Sequence, residues 1–180
     1  LFTPDYTSYH SYLQVQEYEI TGLLQERNVW SVALADGWYG GRVRVNGGSG
    51  QFGDTLGILG EVTINYADGT TDTIGTDEQF VSTTGKYVYS DIFIGEKQDL
   101  RLLADDWETD FDCNGAEKVK IADYSFDNLV PQKGAYVTAQ EEIAPIAIWK
   151  ESDAHIIDFG QVIAGRMRLE IALKAGQEIV

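Results

Sequence analysis

The chain has 180 residues, of which 43% are hydrophobic and 23% charged, and these values exclude a largely disordered polypeptide. Its 29 acidic residues against 13 basic ones give a net charge of -16, which excludes nucleic acid and an anionic membrane surface as partners because both are negatively charged. No apolar run approaches the roughly 20 residues of a membrane-spanning helix. Cys113 is the single cysteine, so the chain has no internal disulfide.

The first predicted strands lie in the N-terminal part of the chain. Leu13 and Val15 alternate with polar neighbours and mark an early strand. Trp30, Val32 and Leu34 alternate with small residues in the same way, and they predict a second strand.

The clearest alternation runs over residues 56–66. One parity carries the apolar side chains Leu56, Ile58, Val62, Ile64 and Tyr66. An Asp-Gly turn follows at Asp68 and Gly69, and residues 71–74 return as a second strand. The pattern predicts a β-hairpin, with Gly60 as a candidate bulge.

Further strands are predicted toward the C-terminus. Ile146 and Ile148 follow Pro145, and residues 167–173 alternate apolar with charged side chains. No segment carries a sustained apolar stripe with the 3.6-residue period of a helix. We therefore predict an all-β chain that folds as an antiparallel β-sandwich of the jelly-roll kind.

A domain boundary is predicted at the polar stretch 140–145, which ends in proline just before a new apolar run. The first sandwich is expected over residues 1–142. Residues 143–180 are too few for an independent sandwich and are expected to begin a second one. Because the chain also lacks an initiating Met, we expect it to be a piece of a longer protein that is cut within this second domain.

Catalytic patterns are sparse. The two histidines, His10 and His155, do not lie in the context of a nucleophile–base pair. The glycine-rich run 47–50 has no lysine behind it, so it is not expected to bind a nucleotide phosphate. Glycoside hydrolysis by a pair of carboxylates stays an open alternative, because sequence alone does not fix the distance between two carboxylates.

The densest feature is the run Asp-Gly-Trp-Tyr-Gly-Gly-Arg at residues 36–42. Glycines let a ligand approach the backbone closely, and Trp38 and Tyr39 could stack on the apolar face of a sugar ring. Asn46 and Asp54 would add side-chain oxygens nearby. The alternative is that the two aromatic side chains plug one end of the sandwich while the glycines form the turn.

Four segments in chain order resemble the N-terminal β-sandwich region of bacterial α-L-rhamnosidases, and a fifth resembles the start of the sandwich domain that follows it in this family. The first is the Gly-Trp-Tyr run just described, and a later one reads Ser-Asp-Ile-Phe-Ile-Gly-Glu-Lys-Gln-Asp-Leu-Arg. The five segments are residues 37–43, 52–59, 66–70, 90–101 and 157–161. The opening residues 1–9 are also similar to the stretch that precedes them in this family, so the resemblance spans nearly the whole chain.

The resemblance implies a parent enzyme that hydrolyses terminal α-L-rhamnosyl linkages. Its acidic catalytic residues would lie on a C-terminal (α/α)₆ barrel of the same polypeptide, and none would lie on this chain. The implied partners are that barrel and, through the enzyme, a rhamnose-containing carbohydrate. The chain itself would be a scaffold, with a possible role in sugar binding.

In some relatives the corresponding sandwich holds L-rhamnose through a bound Ca²⁺. On this resemblance the candidate ligand-binding residues are Trp38, Tyr39, Asn46, Asp91 and Glu96. The candidate metal ligands are Asn46, Glu96 and Asp99, although Ile94 stands where many relatives have Asp or Asn.

Two alternatives to this interpretation remain. Asp91, Glu96 and Asp99 could form an acidic turn in which Arg101 pairs with a neighbouring carboxylate. The chain could also be a stand-alone calcium-dependent carbohydrate-binding or adhesion module with no attached enzyme.

Overall fold

The computed structural model describes residues 4–44, 47–102 and 116–180. Asn46 and Cys113 lie outside these ranges. The chain separates into two compact units, one that extends to Tyr136 and one over Val137–Val180.

Short strands dominate the described residues, which confirms the all-β prediction. The first unit contains β1 (Leu13–Val15), β2 (Glu61–Asn65), β3 (Thr71–Gly75), β4 (Val81–Ser82), β5 (Tyr87–Asp91), β6 (Gly95–Gln98), β7 (Glu117–Lys118) and β8 (Leu129–Pro131). The second unit contains β9 (Ala147–Glu151) and β10 (Ala154–Asp158). The described helical elements are one turn, α1 (Gly37–Gly40), and the 3-10 turns Thr21–Leu23 and Leu100–Leu102, and none of them has the length or apolarity to span a bilayer.

The described strands form two-stranded ladders. Four of these pairs are antiparallel, as predicted: β2 with β3, β4 with β7, β5 with β6, and β9 with β10. The pair of β1 and β8 is parallel, with Leu13 opposite Leu129, so the antiparallel prediction does not extend to it. A parallel pair requires a crossover connection, and nearly the whole first unit lies between these two strands.

The predicted hairpin is formed by β2 and β3, with Val62 opposite Ile74. Its turn follows from the Asp-Gly pair: Gly69 adopts a left-handed φ of 87°, and the Thr70 backbone N–H donates to Asp68 Oδ1 at 2.9 Å. The ladder begins at Glu61 rather than at residue 56, because no described strand pairs with residues 56–60.

Gly60 has a packing role, and its interpretation as a bulge is wrong. The β2–β3 register starts directly after it, at Glu61 opposite Gly75, and is unbroken. A Cβ atom at Gly60 would lie 2.5 Å from Cζ2 of Trp30, so the missing side chain makes room for the indole. The observed register shift lies instead in the β5–β6 pair, between Tyr87 and Tyr89.

Two segments with strand-like alternation form no strand. Residues 30–34 lie in no ladder, although the Trp30 ring packs edge-on against Phe80 at 5.4 Å. Residues 167–173 also lie in no ladder, and their alternating apolar side chains are exposed: Met167, Leu169, Ile171 and Leu173. A strand is stable only when a neighbour completes its hydrogen bonds, and neither segment has such a neighbour in the part of the chain that the structure describes.

The second unit is built on the β9–β10 hairpin, in which Ile148 lies opposite Ile157 and Trp149 opposite Ile156. This confirms a strand at Ile148. The Ile146 N–H donates to the carbonyl of Asp158 at 2.8 Å and extends the hairpin by one residue.

Burial in the described part of the chain is concentrated near one point. Thr7 and Tyr9 are 5% and 7% exposed, and Gly41 is buried as well. The Thr7 hydroxyl donates to the carbonyl of Tyr12 at 2.8 Å, which fixes the N-terminal segment over this point. The best-packed part of the first unit therefore lies at the Gly-Trp-Tyr run.

Candidate functional site

The Gly-Trp-Tyr run folds as the single helical turn α1. Gly37 begins it with a left-handed φ of 49°, and the N–H of Gly40 donates to the carbonyl of Asp36 at 2.8 Å. A Cβ atom at Gly41 would lie 2.3 Å from the carbonyl oxygen of Gly37, so only glycine closes the turn. The glycines thus force Trp38 and Tyr39 to project from one tight turn.

Both aromatic side chains of α1 belong to an aromatic cluster. Its members are Tyr6, Tyr9, Trp38, Tyr39, Phe52 and Phe93. The Trp38 ring lies 5.1 Å from Tyr6 and 5.8 Å from Phe93. Tilted and edge-to-face contacts at such distances stabilise aromatic pairs beyond their burial. The Trp38 ring therefore packs against two other aromatic rings of the chain.

Tyr9 is the buried centre of the aromatic cluster. Its ring lies 4.9 Å from Phe52 and 5.8 Å from Tyr39, both edge-on. Burial raises the pKa of the Tyr9 hydroxyl, and the neighbouring Tyr6 and Asp5 add to the shift. Gly53 is pressed against the Tyr39 phenol, because a Cβ atom there would lie 2.2 Å from its oxygen.

The carboxylate of Asp91 joins the end of α1 to the β5–β6 turn. Its Oδ2 accepts the backbone N–H of Arg42 at 3.0 Å, and its Oδ1 accepts those of Phe93 at 2.8 Å and Ile94 at 3.1 Å. Partial burial works to raise the pKa of Asp91, but the N–H groups of Phe93, Arg42 and Ile94 outweigh it and lower the pKa. We call this arrangement the Asp91 bridge.

Two of the candidate metal ligands, Asp99 and Glu96, are hydrogen-bonded to neighbouring side chains. Asp99 accepts two hydrogen bonds from the Arg101 guanidinium, at 2.8 and 2.5 Å, which hold the pKa of Asp99 at about 2. Glu96 accepts a hydrogen bond from the Gln98 amide. Asn46 lies outside the described residues, and within them no three His, Cys, Asp or Glu side chains are grouped as a metal site would require. Calcium binding therefore has no support from the described geometry.

The structure brings together three of the predicted site residues, Trp38, Tyr39 and Asp91, through the aromatic cluster and the Asp91 bridge. Glu96 and Asp99 interact instead with residues close to them in sequence, Gln98 and Arg101. Sequence reasoning missed the packing partners of Trp38 and Tyr39. The sequence signals for them were the tyrosines near the N-terminus and the phenylalanines one or two residues before Gly53 and Gly95. The missed members are Tyr6, Tyr9, Phe52 and Phe93.

The fold and this site define the class of module: an all-β domain organised around a packed aromatic motif. The sequence profile of the alpha-L-rhamnosidase N-terminal domain matches residues 1–141, and the chain belongs to this family.

Relatives of the chain are similarly named. An alpha-L-rhamnosidase of Streptomyces avermitilis is 29% identical over 188 residues, which cover 98% of this chain and 17% of that protein. One from Formosa agariphila is 28% identical, with 98% and 19% covered. The crystal structure of a native alpha-L-rhamnosidase from Aspergillus terreus superposes with a TM-score of 0.73 at 26% identity, covering 88% of this chain and 19% of the other. The chain thus spans less than a fifth of the length of each of these three proteins.

Proposed function

We propose that this chain is the non-catalytic N-terminal part of a longer α-L-rhamnosidase, which hydrolyses terminal α-L-rhamnosyl linkages, and that it serves this enzyme as a β-sandwich scaffold. Family membership and the small share of each relative that the chain covers support a larger polypeptide. Its partners would be the catalytic barrel of the same polypeptide and, through the enzyme, a rhamnose-containing carbohydrate.

The Asp91 bridge is the observation that carries the scaffold role. Three backbone N–H groups converge on one carboxylate, and Trp38 and Phe93 pack across the same junction at 5.8 Å. Donors and rings that are already paired within the protein stabilise its architecture. A sugar stacked on Trp38 would have to displace one of these rings, so the geometry favours support over sugar binding at this residue.

The proposed domain organisation follows the predicted boundaries, with a first β-sandwich over residues 1–142 and the start of a second over 143–180. The change of compact unit after Tyr136 and the end of the family match at residue 141 support a boundary near this point. The exposed apolar residues of the β9–β10 hairpin, Ile148 and Trp149 among them, fit strands that gain further partners in a complete sandwich.

The test compares the longer polypeptide with its Asp91→Ala variant on 4-nitrophenyl α-L-rhamnopyranoside. A scaffold role predicts that the variant loses activity at a lower temperature, while kcat and KM of the folded enzyme stay within about twofold. Asp54→Ala is the matched control, because among the described residues Asp54 accepts a hydrogen bond only from its neighbour Thr55. Rhamnoside hydrolysis by the 180-residue chain alone, or an inactive longer polypeptide, would overturn the proposal.

A further inference from the structure

The tripeptide Ala-Asp-Gly occurs twice in the chain, at residues 35–37 and 67–69. Glycine has no side chain, so its backbone nitrogen is sterically open to attack the carboxyl group of the preceding Asp. That attack closes a succinimide ring, and hydrolysis of the ring converts Asp into isoaspartate. Because the two tripeptides are identical, a difference in reactivity between them arises from the residues that surround each one in the fold.

The Asp68–Gly69 site is held by three hydrogen bonds. Asp68 Oδ1 accepts the hydroxyl of Thr70 at 2.7 Å and its backbone N–H at 2.9 Å, and the N–H of Gly69 donates to the carbonyl of Tyr66 at 3.0 Å. The Thr70 hydroxyl and then its N–H lower the pKa of Asp68. An ionised carboxylate is a poor electrophile, and this one is also occupied as an acceptor. Both reacting groups of the site are therefore engaged.

The Asp36–Gly37 site lacks such contacts. Its carboxylate does not cap α1 and accepts no hydrogen bond within the described residues. In the same part of the chain, the N–H of Gly37 donates to no acceptor. Asp36 is exposed, and nothing lies within 4 Å of a Cβ position at Gly37. The nucleophile and the electrophile are thus both free, and there is space for the ring to close.

The main chain at Asp36 must rotate before the ring can close. Its carbonyl accepts the N–H groups of Gly40 at 2.8 Å and Gly41 at 3.3 Å, and these bonds oppose the rotation. However, α1 is a single turn of four residues, which by itself gains little from so few hydrogen bonds. Its packed rings begin only at Trp38, so the exposed Asp36 end can open while the rings stay in place.

We propose that Asp36–Gly37 is a site of spontaneous isoaspartate formation in the folded protein, whereas the turn of Asp68–Gly69 protects the second copy of the tripeptide. In the first step the Gly37 nitrogen bonds to Cγ of Asp36 and loses its proton, Cγ loses its hydroxyl, and one water leaves. Water then adds at the main-chain carbonyl carbon of Asp36, whose bond to the Gly37 nitrogen breaks. The sequence of steps involves no oxidation and no co-reactant besides water, and it is independent of the proposed scaffold role.

The product would alter α1 directly. Isoaspartate adds one carbon to the main chain between Cα of Asp36 and the Gly37 nitrogen. The former carbonyl of Asp36 becomes a free carboxylate, so the bond that Gly40 makes to it can no longer close a helical turn. Because this turn carries Trp38 and Tyr39, the modified chain should melt at a lower temperature than the unmodified one.

The test follows isoaspartate at each position while the 180-residue chain is kept in warm, near-neutral buffer over several weeks. Peptide mapping with electron-transfer dissociation distinguishes isoaspartate from aspartate at Asp36 and Asp68. It also separates them from the Asn-Gly pairs at residues 46–47 and 114–115, where deamidation yields the same product. In the folded chain the product at Asp36 should form about tenfold faster than at Asp68, since three hydrogen bonds must break at the latter. In concentrated urea the two positions should react at similar rates.

Two variants locate the cause of the difference. Asp36→Glu should abolish the product at that position, because the larger ring that Glu would form closes much more slowly. Thr70→Val removes one donor from Asp68 and should raise the product there about fivefold. Thr71→Val is the matched control, because the Thr71 hydroxyl donates to Asn65 instead, and it should leave the rate at Asp68 unchanged. Retained dispersion of the amide spectrum shows that each variant is folded.

Three results would overturn the inference. They are equal rates at Asp36 and Asp68 in the folded chain, a faster reaction at Asp68, and no product at Asp36 in the folded chain although it forms in urea. An isomerised fraction that melts at the same temperature as the unmodified chain would overturn the expected damage to α1.

Discussion

The Asp91 carboxylate and the Arg42 backbone N–H are hydrogen-bonded at 3.0 Å although 49 residues separate them along the chain. This contact ties the turn that carries Trp38 to the turn between β5 and β6. Its consequences, and those of the packing around it, can be measured.

Removal of the Asp91 carboxylate should destabilise the first unit. Asp91→Ala leaves the N–H groups of Arg42, Phe93 and Ile94 without their acceptor, and we expect the melting temperature to fall by about 3 °C. Asp54→Ala should change it far less. Equal melting temperatures for the two variants in differential scanning calorimetry would contradict the bridging role.

A methyl group at Gly41 should disrupt α1. Gly41→Ala places Cβ against the carbonyl oxygen of Gly37, and this strain should cost about 2 kcal/mol of unfolding free energy. Gly57→Ala is the control, because nothing lies within 4 Å of its Cβ position, and it should shift stability by no more than about 1 kcal/mol in either direction. Urea denaturation measures both, and indistinguishable midpoints would show that the turn relaxes at no cost.

Loss of the Trp38 ring should affect folding. Trp38→Ala removes the contacts with Tyr6 and Phe93, and the free energy of unfolding should fall by about 2 to 3 kcal/mol, the lower part of the range for large-to-small changes because Trp38 is only half-buried. Tyr124→Ala, at an exposed ring, should cost less than about 1 kcal/mol. An unchanged denaturation midpoint for Trp38→Ala would show that the aromatic cluster contributes little.

Acidification should remove the stabilisation that the Asp99–Arg101 ion pair contributes. The guanidinium lowers the pKa of Asp99 from 3.8 to about 2, so its stabilisation is present above pH 4 and is lost as the pH falls toward about 2. Because Arg101 is 81% exposed, solvent screens the effect and it should be small. Asp99→Asn and Arg101→Gln should each flatten the decline of stability across this window. Thermal melts between pH 5 and pH 2 check this, and unaltered slopes in both variants would contradict it.

Locally encoded features could be predicted from the sequence because neighbouring residues determine them. The alternation over 61–65 and the Asp68–Gly69 turn sufficed for the β2–β3 hairpin, since both strands and their connection are contiguous. The alternation of 167–173 looked equally strand-like, yet no ladder formed there. Periodicity shows which face of a segment could be buried but does not supply the neighbouring strand.

The Gly-Trp-Tyr run likewise combines features that the local sequence encodes with contacts that only the tertiary structure determines. By itself the sequence determined the all-β class, the family resemblance, and the presence of glycines where an aromatic pair must turn sharply. The tertiary structure decided that Trp38 packs between Tyr6 and Phe93 and that Asp91 joins the end of α1 to the β5–β6 turn. These contacts join segments tens of residues apart, and their distances depend on how the whole chain closes, which no local pattern of residues encodes.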